Sequence, residues 1–515
     1  MDKTSVSIDE MLPHVGEMGP FQIMQETFLC LMLMVHYFTF YISYFAALDS
    51  PWECVSNSTI CILNGTISAG DSHYKDRCTM PRGDWQFTQA DEFSLVTHFE
   101  LYCDSKWMSQ MTTSITHLGW FFGGLMMGSF ADRFGRRRVL FVCISCQIFG
   151  NFLCAFSSNI WFLICIRFFL GLSIPGSGLQ GFILITEMTG SRYRTIASSI
   201  YWQFIFVSNS VLALTASYVR EWKLLFIICS APYIFVLGFF PFLTESMRWL
   251  QMNGKRDRAM EVLRRAAKFN GRKIPEGLEL KNIDQSVKNK SPSITTLFKS
   301  RKSTAQILTL CFAWVSVNML CYGLSLSSGN FGGNVYLNFF LVSSMELPGA
   351  IIYGFAANML GRKKTVINSC FLASLACFSM ILITSNSSWI IARIAVGMFG
   401  KLCTSIFYNS IYQWGAELYP TTIRATATSF MQAASPLGGS TAPWIINYLK
   451  DVHYSAPYAT MGGIALLSAI SMLRLPETKG KSIDESGEDE QRAVCMANNT
   501  DSTTTDKESS SLIQF

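Results

Sequence analysis

Charged side chains are scarce in this chain. Asp, Glu, Lys and Arg make up 15% of its 515 residues and hydrophobic residues make up 50%, whereas soluble domains average about 25% charged residues. The cysteines lack the spacing of zinc ligands, the stretch SSGNFGG lacks the lysine of a phosphate-binding loop, and no serine or cysteine lies in the context of a nucleophile. These absences argue against a soluble domain and against an enzyme, and we expect no metal, no cofactor and no nucleic-acid partner.

Long apolar runs are what the chain has instead. Twelve of them approach the roughly 20 residues that a helix needs to cross about 30 Å of hydrocarbon, and a helix satisfies its own backbone groups there. The sequence therefore predicts an all-α membrane protein with twelve transmembrane helices. Their approximate cores are residues 26–48, 108–130, 138–157, 161–184, 196–218, 223–243, 305–326, 334–357, 365–384, 388–412, 426–449 and 456–475.

The distribution of basic residues indicates how the chain is oriented. Residues 244–303 carry fifteen Lys and Arg, and the short loop 133–138 carries four more. Lys and Arg collect on the cytoplasmic side of membrane proteins. We therefore expect both loops and both termini in the cytosol, with the protein in the plasma membrane.

The first loop, residues 49–106, should then lie outside the cell. It holds nine acidic residues against four basic ones, together with glycosylation acceptors at Asn57 and Asn64. Its four cysteines predict two disulfides, and the three possible pairings stay open. These cysteines are Cys54, Cys61, Cys78 and Cys103.

Four motifs recur at nearly constant offsets of 226 to 232 residues. The matched segments are ADRFGRRR (131–138) with ANMLGRKK (357–364), Arg167-x3-Gly171 with Arg393-x3-Gly397, Glu187-x6-Arg194 with Glu417-x6-Arg424, and Glu245 with Glu477. Such repeats predict two six-helix halves in parallel topology, with a substrate site between them near the middle of the membrane. The expected parts are a cytoplasmic N-terminus (1–25), an N-terminal half (26–243), a cytoplasmic linker (244–303), a C-terminal half (304–475) and a disordered cytoplasmic tail (476–515).

Several segments resemble a known family. The first copy of the repeated loop, Gly128-x3-Asp132-Arg133-x-Gly135-Arg136-Arg137, is similar to the signature loop of the major facilitator superfamily. FELYCDSKW (99–107), TESMRWL (244–250), YGLSLSSGNFGGNVYLNFF (322–340) and AELYPTTIR (416–424) resemble its organic cation, anion and zwitterion transporters. Sugar porters share the cytoplasmic motifs and the ending PETKG, but their short first outer loop and paired glutamines are absent here. The resemblance implies the major facilitator fold and polyspecific transport of small organic ions.

The charged loops are expected to latch the two halves together on the cytoplasmic side. The carboxylate of Asp132, where a helix leaves the membrane, can meet the positive N-terminal end of a helix from the other half, and arginines bind carboxylates or lipid phosphates. The second copy has Asn358 at that position, so the latch should be weaker on that side; the alternative is that these charges only set topology. By resemblance the latch residues are Asp132, Arg133, Arg136, Glu187, Arg194, Arg362, Glu417 and Arg424.

Substrate selection is expected from polar side chains inside the helices, because an ionisable group at membrane depth is costly unless it faces a cavity or a partner. Glu346 is the one carboxylate that we expect deep in a span, and Lys401 lies deep in the tenth helix. Two alternatives stay open: the two residues only pair with each other, and the aromatic residues near them only pack helices. Besides Glu346 and Lys401, the candidate substrate-binding residues are Trp314, Tyr322, Tyr41, Tyr408 and, more weakly, Gln203.

The charge of the substrate is less certain from the sequence. Pro436 lies where the resembling family tends to carry an acidic residue in cation carriers and a basic one in anion and zwitterion carriers. Because Glu346 is present and that basic residue is missing, we expect organic cations first and carnitine-like zwitterions next, moved by facilitated diffusion or exchange. The alternatives are an organic anion exchanger, a sugar transporter and a non-transporting receptor. Pro436, Gly438 and Gly439 are expected to form a flexible kink.

Two polar segments complete the prediction. The linker stretch KRDRAMEVLRRAAKFNG (255–271) is amphipathic and is expected to lie along the inner membrane surface. Residues 484–515 are rich in Ser and Thr and are expected to be disordered. Their end, SSSLIQF, is a weak candidate for a PDZ-type partner; the other expected partners are the lipid bilayer and the substrate.

Overall fold

The computed structural model describes residues 4–275, 277–281, 294–298, 300–383 and 387–479, apart from positions 57, 59, 64, 69 and 70. In that part of the chain the predicted twelve-helix membrane protein is confirmed, and eight of the helices are long and apolar enough to cross a membrane on their own. We number them α1 Pro20–Ala46, α2 Lys106–Phe134, α3 Arg136–Ala155, α4 Ile160–Met188, α5 Arg194–Tyr218, α6 Trp222–Gly238, α7 Arg301–Ser327, α8 Val335–Leu360, α9 Arg362–Leu382, α10 Ile390–Glu417, α11 Thr421–Val452 and α12 Ala456–Met472.

Helix α8 is broken where a candidate site residue lies. Its first segment ends at Ser344 and its second begins at Glu346. Pro348 explains the break, because proline has no N–H to donate to the carbonyl of Ser344 and its ring crowds that carbonyl. The side chain of Glu346 is therefore presented from the start of a helical segment inside the membrane.

Glycines let helices of the N-terminal half touch at their backbones. A methyl group at Gly119 of α2 would lie 2.3 Å from the carbonyl oxygen of Phe168 on α4, and one at Gly171 would lie 2.1 Å from that of Thr116. Small residues at helix crossings are typical of membrane proteins. Gly171 belongs to a repeated motif, whose arginine, Arg167, donates a 2.6 Å hydrogen bond to the carbonyl of Thr39 on α1.

Two small sheets add to the helical architecture. Strand β1 (Thr4–Val6) pairs in parallel with β4 (Leu278–Leu280), so the N-terminal segment is joined to the linker. Strand β2 (Trp52–Cys54) pairs antiparallel with β3 (Trp85–Phe87) inside the first loop. The fold is otherwise helical, as predicted.

The first loop forms a small disulfide-bonded unit. The predicted disulfides are present and join Cys54 to Cys61 and Cys78 to Cys103, a pairing that the sequence left open. Trp52 and Trp85 are buried in its core. The candidate glycosylation sites Asn57 and Asn64 lie outside the described residues.

The linker helix packs on protein and not on the membrane through its apolar side. In the helix Arg256–Phe269 the apolar residues Ala259, Leu263 and Ala266 are buried in one cluster with the short N-terminal helix Ile8–Val15. The expectation that this apolar face lies on the membrane surface is therefore wrong. The covering surface comes from residues some 250 positions away, as Asn270 shows by accepting a hydrogen bond from the backbone N–H of Phe21, 249 positions earlier.

The C-terminal tail and helix α11 also bear on the sequence expectations. Residues 480–515, with the candidate PDZ motif, lie outside the described part of the chain. Helix α11 continues through Pro436. The glycines that follow it serve packing, since a methyl group at Gly438 would lie 1.9 Å from the carbonyl oxygen of Val315 on α7.

Candidate substrate site and its two ends

Glu346 and Lys401 form a buried ion pair. The Nζ atom of Lys401 lies 2.8 Å from Oε1 of Glu346, and the side chains are 1% and 9% exposed for Lys401 and Glu346. The ammonium also donates to the carbonyl of Cys321 and the hydroxyl of Ser325, each at 3.1 Å. The pairing that the sequence left open is thus present, and Lys401 has acceptors on α7 besides Glu346.

Tyrosines from both halves surround this pair. Tyr37 and Tyr41 of α1 and Tyr408 of α10 each interact electrostatically with Glu346. The rings of Tyr41 and Tyr322 stack with centroids 5.3 Å apart, so α1 meets α7 beside the pair. Among the described residues the hydroxyls of Tyr37, Tyr322 and Tyr408 have no hydrogen-bond partner. They are free to bind a ligand placed between the halves.

Two predicted residues lie further away. Trp314 is 2% exposed and packs edge-on behind Tyr408 and Tyr412, with centroids 5.4 and 6.2 Å away, so it supports these rings from behind. Gln203 on α5 is not among the groups that contact the pair. Sequence reasoning missed Cys321 and Ser325 as partners of Lys401, although Ser325 follows Cys321 by one helical turn.

Helix α1 contains a second buried carboxylate. It begins at Pro20, which places Glu26 in its second turn, and that residue is 7% exposed. The expectation that Glu346 is the one carboxylate deep in a span is therefore incomplete. The predicted core began at residue 26, so the sequence reading took Glu26 as the edge of the helix.

The end of the bundle that carries the first loop is closed by an aromatic plug. The plug consists of Phe40, Tyr41 and Tyr44 of α1, Tyr322 of α7 and Phe339 of α8. Phe339 packs against Tyr41 and Tyr44 with ring centroids 5.3 and 5.6 Å apart, respectively. These rings join the two halves above the ion pair.

Polar contacts join the halves at the same end. Asp451 of α11 lies 3.2 Å from Lys75 of the first loop and 3.8 Å from Lys106 of α2, and we call these three residues the ion-pair clasp. Deeper along the same two helices, the hydroxyl of Ser114 donates a 2.7 Å hydrogen bond to the carbonyl of Ser440. Helices α2 and α11 therefore hold together from the first loop toward the middle of the membrane.

The opposite end, where the linker lies, is open. A methyl group at Gly128 of α2 or Gly354 of α8 would meet no atom within 4 Å. A cleft of about 240 Å³ runs along α10 and α11. Its lining residues are Tyr412, Gln413, Ala416, Glu417 and Arg424. Tyr412 is one turn from Tyr408, so the cleft leads toward the ion pair.

Each predicted latch residue finds its contacts within its own half. The pairs are Asp132 with Arg136 at 3.0 Å, Glu187 with Ser246, Arg194 with Asp9 at 2.8 Å, Arg362 with Glu417 at 3.4 Å, Arg424 with the carbonyl of Tyr419 at 3.2 Å, and Arg133 over the ring of Phe134 at 5.4 Å. Asp132 is 74% exposed. Across the described ranges no ion pair joins the halves at the linker end, so the latch remains a prediction for a state in which this end is closed.

Two repeated glutamates cap helices, a role that the sequence did not reveal. Glu245 accepts hydrogen bonds from the backbone N–H groups of Arg137 and Ser246, and burial raises its pKa above the ordinary value. Glu477 caps α9 in the same way through the N–H groups of Arg362 and Lys363. Burial opposes ionisation of Glu477, but its backbone donors outweigh that effect and its pKa is lowered. This second cap therefore contributes stability that is lost as the pH falls through the lowered pKa.

Loss of the clasp carboxylate should favour opening of the first-loop end. Exposed ion pairs contribute about 0.2–1 kcal/mol each, so Asp451→Asn is expected to raise the open population about two- to fivefold. The measurement is labelling of Ser328→Cys, a buried position under the plug, by a membrane-impermeant maleimide. Asp76→Asn is the matched control, because Asp76 pairs with His73 inside the loop. Equal labelling with and without Asp451→Asn would refute the clasp.

The family comparisons agree with this architecture. The chain matches the family described as Sugar (and other) transporter over residues 28–326 and the family described as Major Facilitator Superfamily over residues 335–507. A solved structure of the xylose transporter from E. coli, described as inward open, aligns with a TM-score of 0.61 at 15% identity, covering 89% of this chain and 98% of that one. The fold and the site between its halves define a transporter of the major facilitator superfamily.

Curated relatives identify the family within that superfamily. Human solute carrier family 22 member 2 is 30% identical over 77% of this chain and 71% of its own length. The mouse protein of that name is 29% identical over 94% of this chain and 96% of its own length. A Drosophila melanogaster protein named Organic cation transporter protein is 26% identical over 93% of this chain and 94% of its own. The chain belongs to solute carrier family 22.

Proposed function

We propose that this protein carries small organic cations across the membrane by alternating access, with Glu346 as the anionic group that receives them. The observation that carries the proposal is a buried carboxylate between the halves, with tyrosines of both halves around it. The relatives support it, because one of them is named as an organic cation transporter. Tyrosine faces attract a positive nitrogen without demanding one shape, which favours breadth of substrate.

An arriving cation would replace Lys401 as the partner of Glu346. Lys401 can release the carboxylate without losing all of its acceptors, because it also donates to Cys321 and Ser325. A buried ammonium left with hydrogen bonds is much less costly than one left with none. The ion pair would therefore act as an exchangeable lid on the anionic group.

The two ends of the bundle supply the alternation. We assign the linker end to the cytoplasm and the first loop to the outside of the plasma membrane, because the linker end collects Lys and Arg. The plug and the clasp then close the outer gate in this state. The charged loops near Asp132 and Arg362 would close the inner gate in the opposite state. A cation entering the cell gains about 2.3 kcal/mol per 100 mV of membrane potential.

Zwitterions are a second candidate, and Lys401 is the observation that favours them. A carnitine-like molecule could set its ammonium against Glu346 and its carboxylate against Lys401, which lie 2.8 Å apart in the pair. In Lys401→Met, uptake of carnitine should then fall far more than uptake of a simple cation. Equal effects on both substrates would remove this candidate.

Uptake into proteoliposomes tests the main proposal. Purified protein is expected to accumulate radiolabelled tetraethylammonium, faster with a negative potential inside. Unlabelled quaternary amines should compete strongly, carnitine less, and an aromatic carboxylate or glucose hardly at all. Binding without accumulation would indicate a receptor, and competition led by the carboxylate or by glucose would indicate an anion or sugar carrier.

A further inference from the structure

A group of arginines at the linker end of the N-terminal half has no role in the proposed transport cycle. Arg137 and Arg138 begin α3, and Arg265 lies on the linker helix. The charges that act on Arg137 are those of Glu245, Arg265 and Arg138. The carboxylate of Glu245 already accepts backbone hydrogen bonds. Three cations thus lie close together against one acid, an arrangement that like-charge repulsion disfavours unless another anion binds.

The position of the group indicates what that anion is. The guanidinium of Arg137 donates to the carbonyl of Phe240 at 3.2 Å and lies 5.0 Å above its ring. Phe240 packs on Phe141 with centroids 4.4 Å apart, and Phe141 and Phe242 are 39% and 48% exposed. Exposed phenylalanines on a membrane helix face acyl chains. The arginines therefore lie where the lipid-facing surface ends, at the depth of lipid headgroups.

The arginine side chains have the means to bind a phosphate. Arg138 and Arg265 are exposed. The buried Nε atom of Arg137 has no hydrogen-bond partner in the part of the chain that the structure describes. A guanidinium presents a planar fork of donors that matches phosphate oxygens in a bidentate way. One headgroup could thus contact α3 and the linker helix together.

We propose that Arg137, Arg138 and Arg265 form a binding site for the phosphate headgroup of an anionic phospholipid in the leaflet at the linker end. The phosphate bridges α3 to the linker helix, while the acyl chains cover Phe141 and Phe242. A lipid is favoured over a soluble phosphate because the site is continuous with that exposed phenylalanine surface. The bound lipid compensates the like charges around Arg137 and fastens the linker to the N-terminal half.

The sequence repeat supplies the control for this proposal. Lys364 of α9 is the repeat counterpart of Arg138, at the offset of 226 residues, and it is also exposed. Lys363, the counterpart of Arg137, donates to the carbonyl of Leu473 at 2.8 Å, as Arg137 does to Phe240. The linker helix packs on the N-terminal half, so Lys364 lacks a counterpart of Arg265. A charge removed at Lys364 tests net charge alone.

Native mass spectrometry of the purified protein with added phosphatidylinositol tests the site. Each basic residue near a membrane surface contributes about 1 kcal/mol, which is about fivefold in lipid affinity. Arg138→Gln/Arg265→Gln is therefore expected to weaken phosphatidylinositol binding about 25-fold, while Lys364→Gln leaves it unchanged. Arg138→Lys/Arg265→Lys should keep most of the binding, and thermal unfolding checks that each variant is folded.

Three results would overturn the proposal. One is wild-type phosphatidylinositol binding by the folded Arg138→Gln/Arg265→Gln protein. Another is an equal loss in Lys364→Gln, which would show a dependence on net charge only. The third is displacement of the lipid by an equal concentration of inorganic phosphate, which would show that the acyl chains contribute nothing.

Discussion

Glu346→Gln is expected to lower uptake of a quaternary cation about 10- to 100-fold, because a hydrogen bond or contact to a charged group is worth about 1.5–3 kcal/mol. The substitution also leaves the ammonium of Lys401 buried without its carboxylate, and breaking a buried pair from one side costs about 3–5 kcal/mol. Uptake must therefore be corrected for the amount of folded protein at the surface. Binding of neutral competitors should hardly change.

The double variant Glu346→Gln/Lys401→Met separates substrate binding from stability. Neutralising both partners removes the unpaired charge, so expression and thermal stability should recover. Cation uptake should stay low, because the carboxylate that receives the substrate is still missing. Recovery of cation uptake in the double variant would show that the pair only holds the C-terminal half together and that the cation binds elsewhere.

The second large effect is expected at the crossing of α2 and α4. In Gly119→Leu the new side chain would start 2.3 Å from the backbone oxygen of Phe168. A backbone atom in a packed crossing cannot move aside cheaply, and overpacking costs about 1–3 kcal/mol even when side chains can yield. We expect the variant to aggregate, as measured by size-exclusion chromatography in detergent, and its folded fraction to unfold at a much lower temperature.

Gly128→Leu is the control on the same helix. A methyl group there meets no atom within 4 Å, because Gly128 faces the open end. Its elution profile and unfolding temperature should match those of the wild type. If Gly119→Leu behaved equally well, the backbone contact between α2 and α4 would have no importance for folding.

Most of the architecture could be predicted from the sequence, because the determining signals are local or repeated. Apolar length predicts each membrane helix from its own residues. The recurrence of Arg167 and Gly171 as Arg393 and Gly397 predicts two similar halves, and the structure shows what the first copy does: Arg167 holds a carbonyl of α1 while Gly171 admits α2. The rarity of ionisable groups in the spans was enough to single out Glu346 and Lys401.

The remaining features depend on contacts that are distant in sequence. The apolar face of the linker helix is covered by the N-terminal segment, and the helix cap at Arg137 comes from Glu245, 108 positions away. Local periodicity cannot tell a face covered by protein from one covered by lipid. Likewise, residue type alone could not decide whether Glu346 and Lys401 pair or stand apart, since that depends on how α8 breaks at Met345.

The ion-pair clasp has a practical consequence, because Lys75 belongs to the disulfide-bonded first loop and Asp451 to the other half. If the first-loop end opens once in each cycle, this loop must detach from α11 and dock again every time. A nanobody that grips the surface around Lys75 would then bind one state and exclude the other. Such a molecule would act as a state-selective inhibitor without entering the path of the substrate.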